Sequence, residues 1–167
     1  MSVTLVLGGA RSGKSRFAEG LCHAPRSYIA TAQAFDEEMK ARIAKHRDDR
    51  GAAWTTQEAP LDLVSALRAV KGEVLLDCLT LWLTNLVMAE RNVDSEIDAL
   101  IQQLQRMSNK VVIVSNELGL GLVPEHGLSR QFRDLHGLMN QRVAAVADCV
   151  VFMVAGIAQV IKGQLPK

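Results

Sequence analysis

An apolar run, Val3-Thr4-Leu5-Val6-Leu7, passes without a spacer into GGARSGKS at Gly8 to Ser15, and a helix-forming stretch follows. The spacing G-x4-G-K-S between a strand and a helix is that of a phosphate-binding loop. Glycines let backbone N–H groups close around phosphate oxygens, and the helix that follows contributes its positive end. Lys14 is placed to reach the β- and γ-phosphates of a nucleoside triphosphate, and Ser15 to ligate Mg²⁺. The motif works only at the end of a strand that feeds a helix, so it commits the chain to an α/β architecture.

Four further apolar runs support that expectation: Ser27 to Thr31, Glu73 to Asp77, Lys110 to Ser115 and Cys149 to Val154, each rich in Val, Ile or Leu, read with Val3 to Leu7 as buried parallel strands. Helical patterns alternate with them. Val93, Ile97, Leu100, Ile101 and Leu104 recur at helical spacing behind the acidic pair Asp94 and Glu96, and Leu128, Phe132, Leu135, Met139 and Val143 form a second stripe. The alternation predicts a sheet covered on both faces, with ligands at the carboxyl ends of its strands. Two segments break the regularity. The connection from Ala32 to Lys71 is crowded with charge, and Gly119 to Glu125 reads as a loop straight after a strand.

A length of 167 residues suits one domain, 1–167, with a sizeable core. The 19 basic and 18 acidic residues leave a net charge of +1, which gives no field favouring nucleic acid or an anionic membrane. No apolar segment is long enough to span a bilayer, and the apolar start is too short for a signal peptide. Cys22, Cys78 and Cys149 are odd in number and far apart, which argues against a disulfide framework and a zinc site and fits a reducing cytoplasm.

Several side chains could carry chemistry. Asp77 ends an apolar run, where phosphate-loop enzymes supply a carboxylate to Mg²⁺, although an Asp there could instead cap the helix starting near Leu79. Glu117 follows the fourth strand and either orients a water or substrate hydroxyl or is a solvated loop carboxylate. A lone histidine on a charged helix is ordinarily a surface residue, but Arg42, Lys45, Arg47 and Arg50 surround His46 with cations. Such neighbours suit a segment visiting a polyphosphate and favour neutral, nucleophilic imidazole. His23, His126 and His136 lack that setting and read as surface residues. Glu58 could accept from the N1–H and N2–H donors of guanine, and Trp54 and Trp82 either stack on a base or pack.

Taken together these stretches resemble the bifunctional cobinamide kinase and cobinamide-phosphate guanylyltransferase family. The resemblance rests on GGARSGKS, YIATA at Tyr28 to Ala32, DEEMKARIAKHR at Asp36 to Arg47, and Trp54 with Glu58. Further on come LTLWLTNL at Leu79 to Leu86, SNELGLGLVPE at Ser115 to Glu125, and FRDLHGLMNQRVAAVAD at Phe132 to Asp148. It implies a RecA-like P-loop NTPase fold, a three-layer sandwich with a mostly parallel central sheet. It also implies two reactions: phosphorylation of adenosylcobinamide by ATP or GTP, then transfer of GMP from GTP to adenosylcobinamide phosphate through a guanylyl-histidine. The matching histidine is His46, beside Lys14 as a catalytic residue. The implied nucleotide site comprises Gly8, Gly9, Ala10, Arg11, Ser12, Gly13, Lys14 and Ser15, then Thr31, Ala32 and Gln33, Arg47, Asp48, Asp49 and Arg50, and finally Glu58 and Thr80. Ser15 and Asp77 are the implied Mg²⁺ ligands. The resemblance further implies a homotrimer acting on small molecules. The chain has Lys45-His46 where some members carry two adjacent histidines, so a helper role for the first is missing here.

Overall fold

The computed structural model describes residues 2–33, 37, 40, 41 and 53–166. His46, Arg47, Asp48, Asp49 and Arg50 lie outside the described residues. Among the described residues, seven strands form one sheet: β1 (Ser2–Gly8), β2 (Arg26–Ala30), β3 (Thr55–Glu58), β4 (Glu73–Asp77), β5 (Lys110–Asn116), β6 (Cys149–Val154) and β7 (Ile157–Lys162). The spatial order is β3-β2-β4-β5-β1-β6-β7. Every neighbouring pair is parallel except β6 and β7. The helices among the described elements are α1 (Lys14–Gly20), α2 (Leu63–Ala69), α3 (Leu79–Met88), α4 (Val93–Arg106) and α5 (Gly127–Val146).

Strand alternation sorts the core into two layers. Val3 and Leu5 of β1, Ile29, Leu76 and Ile113 point to the face covered by α2, α3, α4 and α5, where Trp82, Leu100 and Met139 are wholly buried. Val6, Tyr28, Leu75, Val112 and Val151 point to the opposite face, against Ala18 of α1 and Trp54. Helices therefore cover both faces, as a parallel sheet requires. Both tryptophans pack. Trp82 donates its indole N–H to the Leu61 carbonyl at 2.9 Å. Trp54 meets the Tyr28 ring edge-on and lies 4.3 Å under the Arg26 guanidinium.

The five expected strands are present with ends shifted by a residue or so; Thr31 falls just past β2 although it is fully buried. Two strands, β3 and β7, lie outside the five expected. Thr55–Glu58 is polar and mostly exposed, and among the described residues β3 is an edge strand paired on one side. Strand β7 folds back on β6 through Ala155 and Gly156, whose φ values of 52° and 79° make the two-residue turn that a right-twisted hairpin favours.

Candidate active site

Strand register brings the carboxyl ends together. Gly8 stands level with Asn116 on one side and Met153 on the other, while Ala30 stands level with both Asp77 and Glu58. The strand bearing the loop is separated by β5 from the strand ending in Asp77. The loop, Thr31–Gln33, Glu58, Asp77 and Glu117 thus occupy one rim, in agreement with the expectation for an open α/β sheet.

Within the loop, Gly8 is fixed by space: a Cβ there would stand 2.6 Å from Ser12 Oγ and 2.7 Å from the Met153 carbonyl oxygen. Gly13, the residue before α1, has φ 89°, a left-handed conformation that glycine adopts without strain. The β6–β7 turn braces the loop from outside, since Gly156 N–H donates to the Ser12 carbonyl at 3.1 Å. Lys14 is buried, and its Nζ donates to the Gly9 carbonyl oxygen at 2.5 Å, so the ammonium is held inside the curl of the loop. Burial pushes Lys14 below its ordinary value, and Cys78 and the Asp77 carboxylate oppose that shift. Burial also pushes the Cys78 thiol up to about 11, so near neutral pH the opposing charge is that of Asp77.

Asp77 Oδ2 accepts from the Tyr28 hydroxyl at 2.9 Å, a partner that sequence reasoning missed. Ser15, in the first turn of α1, and Asp77 are both half-buried and present hard oxygen donors, the chemistry that suits Mg²⁺. Among the described residues no group of three or more His, Cys, Asp or Glu converges. Glu117 is tied to the loop: its N–H donates to the Gly8 carbonyl at 3.0 Å, and its Oε1 accepts from Gly119 N–H at 2.5 Å.

Thr31 and Thr80 are placed differently from simple pocket-lining residues. Thr31 Oγ1 donates to the Cys78 carbonyl at 2.7 Å and accepts from Cys78 N–H at 2.9 Å, which joins the end of β2 to the start of α3. Thr80 Oγ1 accepts from Asn116 N–H at 3.0 Å and shares a 2.9 Å hydrogen bond with His136 Nε2. His136 is therefore not a surface residue. It is 1% exposed, because Thr80 at the start of α3 and Ser115 at the end of β5 give an imidazole on α5 somewhere to bond. Asn140, one turn further on, accepts from Ser115 Oγ at 2.8 Å and donates to the Asn116 carbonyl at 3.0 Å. A polar pair at i and i+4 inside the Leu128-to-Val143 stripe was the signal available for this network.

Burial pushes the His136 imidazole below its ordinary 6.5, with Glu117 opposing the shift. Protonation would turn a second ring N–H toward the Asn140 amide donor 3.4 Å away. The sign follows. Below 6.5 the unfolded chain takes up a proton that the folded one resists, so the neutral ring's contribution, complete above that value, is lost as pH falls through the folded pKa. Denaturant midpoints measured near pH 7 and near pH 5 should show this loss in wild type, and His136→Gln should reduce it.

The fold and the rim define a phosphate-loop nucleotide-binding α/β protein. The sequence profile of the cobinamide kinase / cobinamide phosphate guanyltransferase family matches residues 4–161. The chain is 49% identical over 168 residues to the bifunctional adenosylcobalamin biosynthesis protein CobP of Pseudomonas aeruginosa, spanning 96% of this chain and 97% of that protein. It is 48% identical over 178 residues to the bifunctional adenosylcobalamin biosynthesis protein CobU of Salmonella typhimurium, spanning 95% and 98%. The Escherichia coli protein of the same name is 43% identical, with the same coverage. The chain belongs to the cobinamide kinase / cobinamide phosphate guanyltransferase family.

Proposed function

We propose that this protein phosphorylates the aminopropanol hydroxyl of adenosylcobinamide with ATP or GTP, and then transfers GMP from GTP to the resulting phosphate. The observation that carries this reading is the single rim on which the loop, Asp77 and Glu117 meet, in a chain of this family. Gly8 to Ser15 cradle the phosphates, Thr31 to Gln33 and Thr80 shape the wall beside them, and Glu58 and Arg47 to Arg50 complete the GTP site. Ser15 and Asp77 would hold Mg²⁺, which supplies charge neutralisation for the phosphates when bound.

In the first reaction the hydroxyl oxygen attacks the γ-phosphorus, the bond from that phosphorus to the β–γ bridging oxygen breaks, and the nucleoside diphosphate leaves. Lys14 neutralises charge that grows on the moving phosphoryl group. Glu117, anchored on Gly8, orients the hydroxyl and takes its proton. Glu117→Gln should lower the kinase kcat about 100-fold with little change in nucleotide affinity, as read by initial rates and nucleotide titration.

In the second reaction His46 attacks the α-phosphorus and pyrophosphate leaves. The substrate phosphate then attacks the phosphoramidate, forming adenosylcobinamide-GDP and freeing the imidazole. Incubation with adenosylcobinamide and GTP tests the reading: mass spectrometry should show the phosphate first and the GDP adduct second. A product that stops at the phosphate would reduce the protein to a kinase. We also read it as a cytoplasmic homotrimer, on family resemblance. Exposed Ile157 and Ile161 on β7 offer the kind of apolar surface that subunit contacts use, and light scattering would give three times 18.2 kDa. No helix among the described residues is long and apolar enough to cross a membrane.

A further inference from the structure

The apolar stripe of α5 is buried at one end and bare at the other. Met139 and Val143 are wholly buried, whereas Leu128 is 81% exposed. His136 marks the level of the sheet's edge, because it bonds to Thr80 and approaches Ser115 at the end of β5. The part of α5 before it, about 14 Å long at 1.5 Å per residue, therefore continues beyond that level. Helix α3 also stays over the rim, since Asn85 Nδ2 donates to the Thr31 and Pro60 carbonyls beyond the ends of β2 and β3. Between these two helices lies a cleft of about 570 Å³, whose lining includes Val87, Leu118, Leu128 and Phe132, with Gln131 and Arg133 as polar members. The loop beside it turns Leu120, Leu122 and Val123 outward, at 80%, 97% and 66% exposure.

That apolar surface is continuous with the phosphate site. Leu118 follows Glu117, whose N–H holds the Gly8 carbonyl, so one step along the chain leads from the loop to the cleft wall. A nucleotide is polar along its length and has no use for so much bare hydrocarbon at this edge. The other substrate of the proposed reactions does: a corrin is a broad macrocycle whose faces and methyl-bearing rim are apolar and whose periphery carries carboxamides. We infer that the cleft between α3 and α5, with the Leu118–Val123 loop, seats the corrin ring of the acceptor and directs its aminopropanol arm past Glu117 toward the nucleotide. Apolar side chains cover the macrocycle, while Gln131 and Arg133 donate to carboxamide oxygens, the usual division of labour in a ligand cleft. The inference rests on the proposed function and locates its acceptor subsite.

Leu122→Asn and Leu128→Asn test it in the full-length protein. Cobinamide affinity is read by equilibrium dialysis, GTP affinity by titration with a fluorescent GTP analogue, and mass by light scattering. Each variant should weaken cobinamide binding roughly 10- to 100-fold and raise the kinase KM accordingly, with GTP affinity and mass unchanged. Leu165→Asn, at an exposed apolar position outside the cleft, should keep wild-type affinity for both ligands. Unchanged cobinamide affinity in both cleft variants would overturn the inference. So would a loss that tracks a fall in mass, which would make the cleft an interface between copies. Wild-type protein that binds the GTP analogue but no cobinamide would overturn the functional reading itself.

Discussion

Replacing Lys14 with Met should lower the rates of both reactions by roughly 10²–10³-fold, because both draw on the same cradle for their phosphates. The side chain is buried and its ammonium is already aimed into the loop, on the Gly9 carbonyl. Burial disfavours the charged form, so the free protein carries a desolvation cost that bound phosphate offsets. Met removes that cost together with the charge. The variant should therefore melt at or above the wild-type temperature without nucleotide, yet lose most of the upward shift that GTP produces. Thermal melting with and without GTP, beside initial rates for both reactions, reads these outcomes. A variant that melts lower in both conditions would point to a structural role for Lys14 instead.

His46→Ala should divide the activities. Guanylyl transfer should fall to background, since no other group replaces a nucleophile whose nitrogen forms the covalent bond, while cobinamide phosphorylation persists. The prediction rests on RIAKHR and on family membership, because His46 lies outside the described residues. Separate assays for adenosylcobinamide phosphate and adenosylcobinamide-GDP would read the split. Equal loss of both products would mean that His46 serves the nucleotide site as a whole rather than the α-phosphorus alone.

How much of this was legible in the sequence depended on whether a residue's environment is local. The loop and β1 were readable because their glycines, lysine and apolar run act within a few positions of one another. Asp77 and Glu117 were readable as strand ends, which the parallel sheet then aligned by register. His136 was misread because its partners, Thr80 and Ser115, come from two other elements, and a single histidine on an amphipathic helix looks solvated until those elements close on it. Likewise Thr55–Glu58 carries no apolar run, and only pairing with β2 makes it a strand and puts Glu58 on the rim. Tyr28 lies in an expected buried strand and is buried, but its hydroxyl also holds Asp77. The stripe from Leu128 to Val143 was recognised as a helix, whereas its bare upper end became visible only once the sheet's edge was located.

In the proposed function, one phosphate cradle presents a γ-phosphorus to a hydroxyl and an α-phosphorus to a histidine. Incubating the protein with GTP labelled at the α-phosphate and then chasing with adenosylcobinamide phosphate tests it most directly. Acid-labile, base-stable label is expected on the wild-type chain, none on His46→Ala, and transfer of the label to the corrinoid during the chase. Protein that makes adenosylcobinamide-GDP at full rate while never carrying label would contradict it.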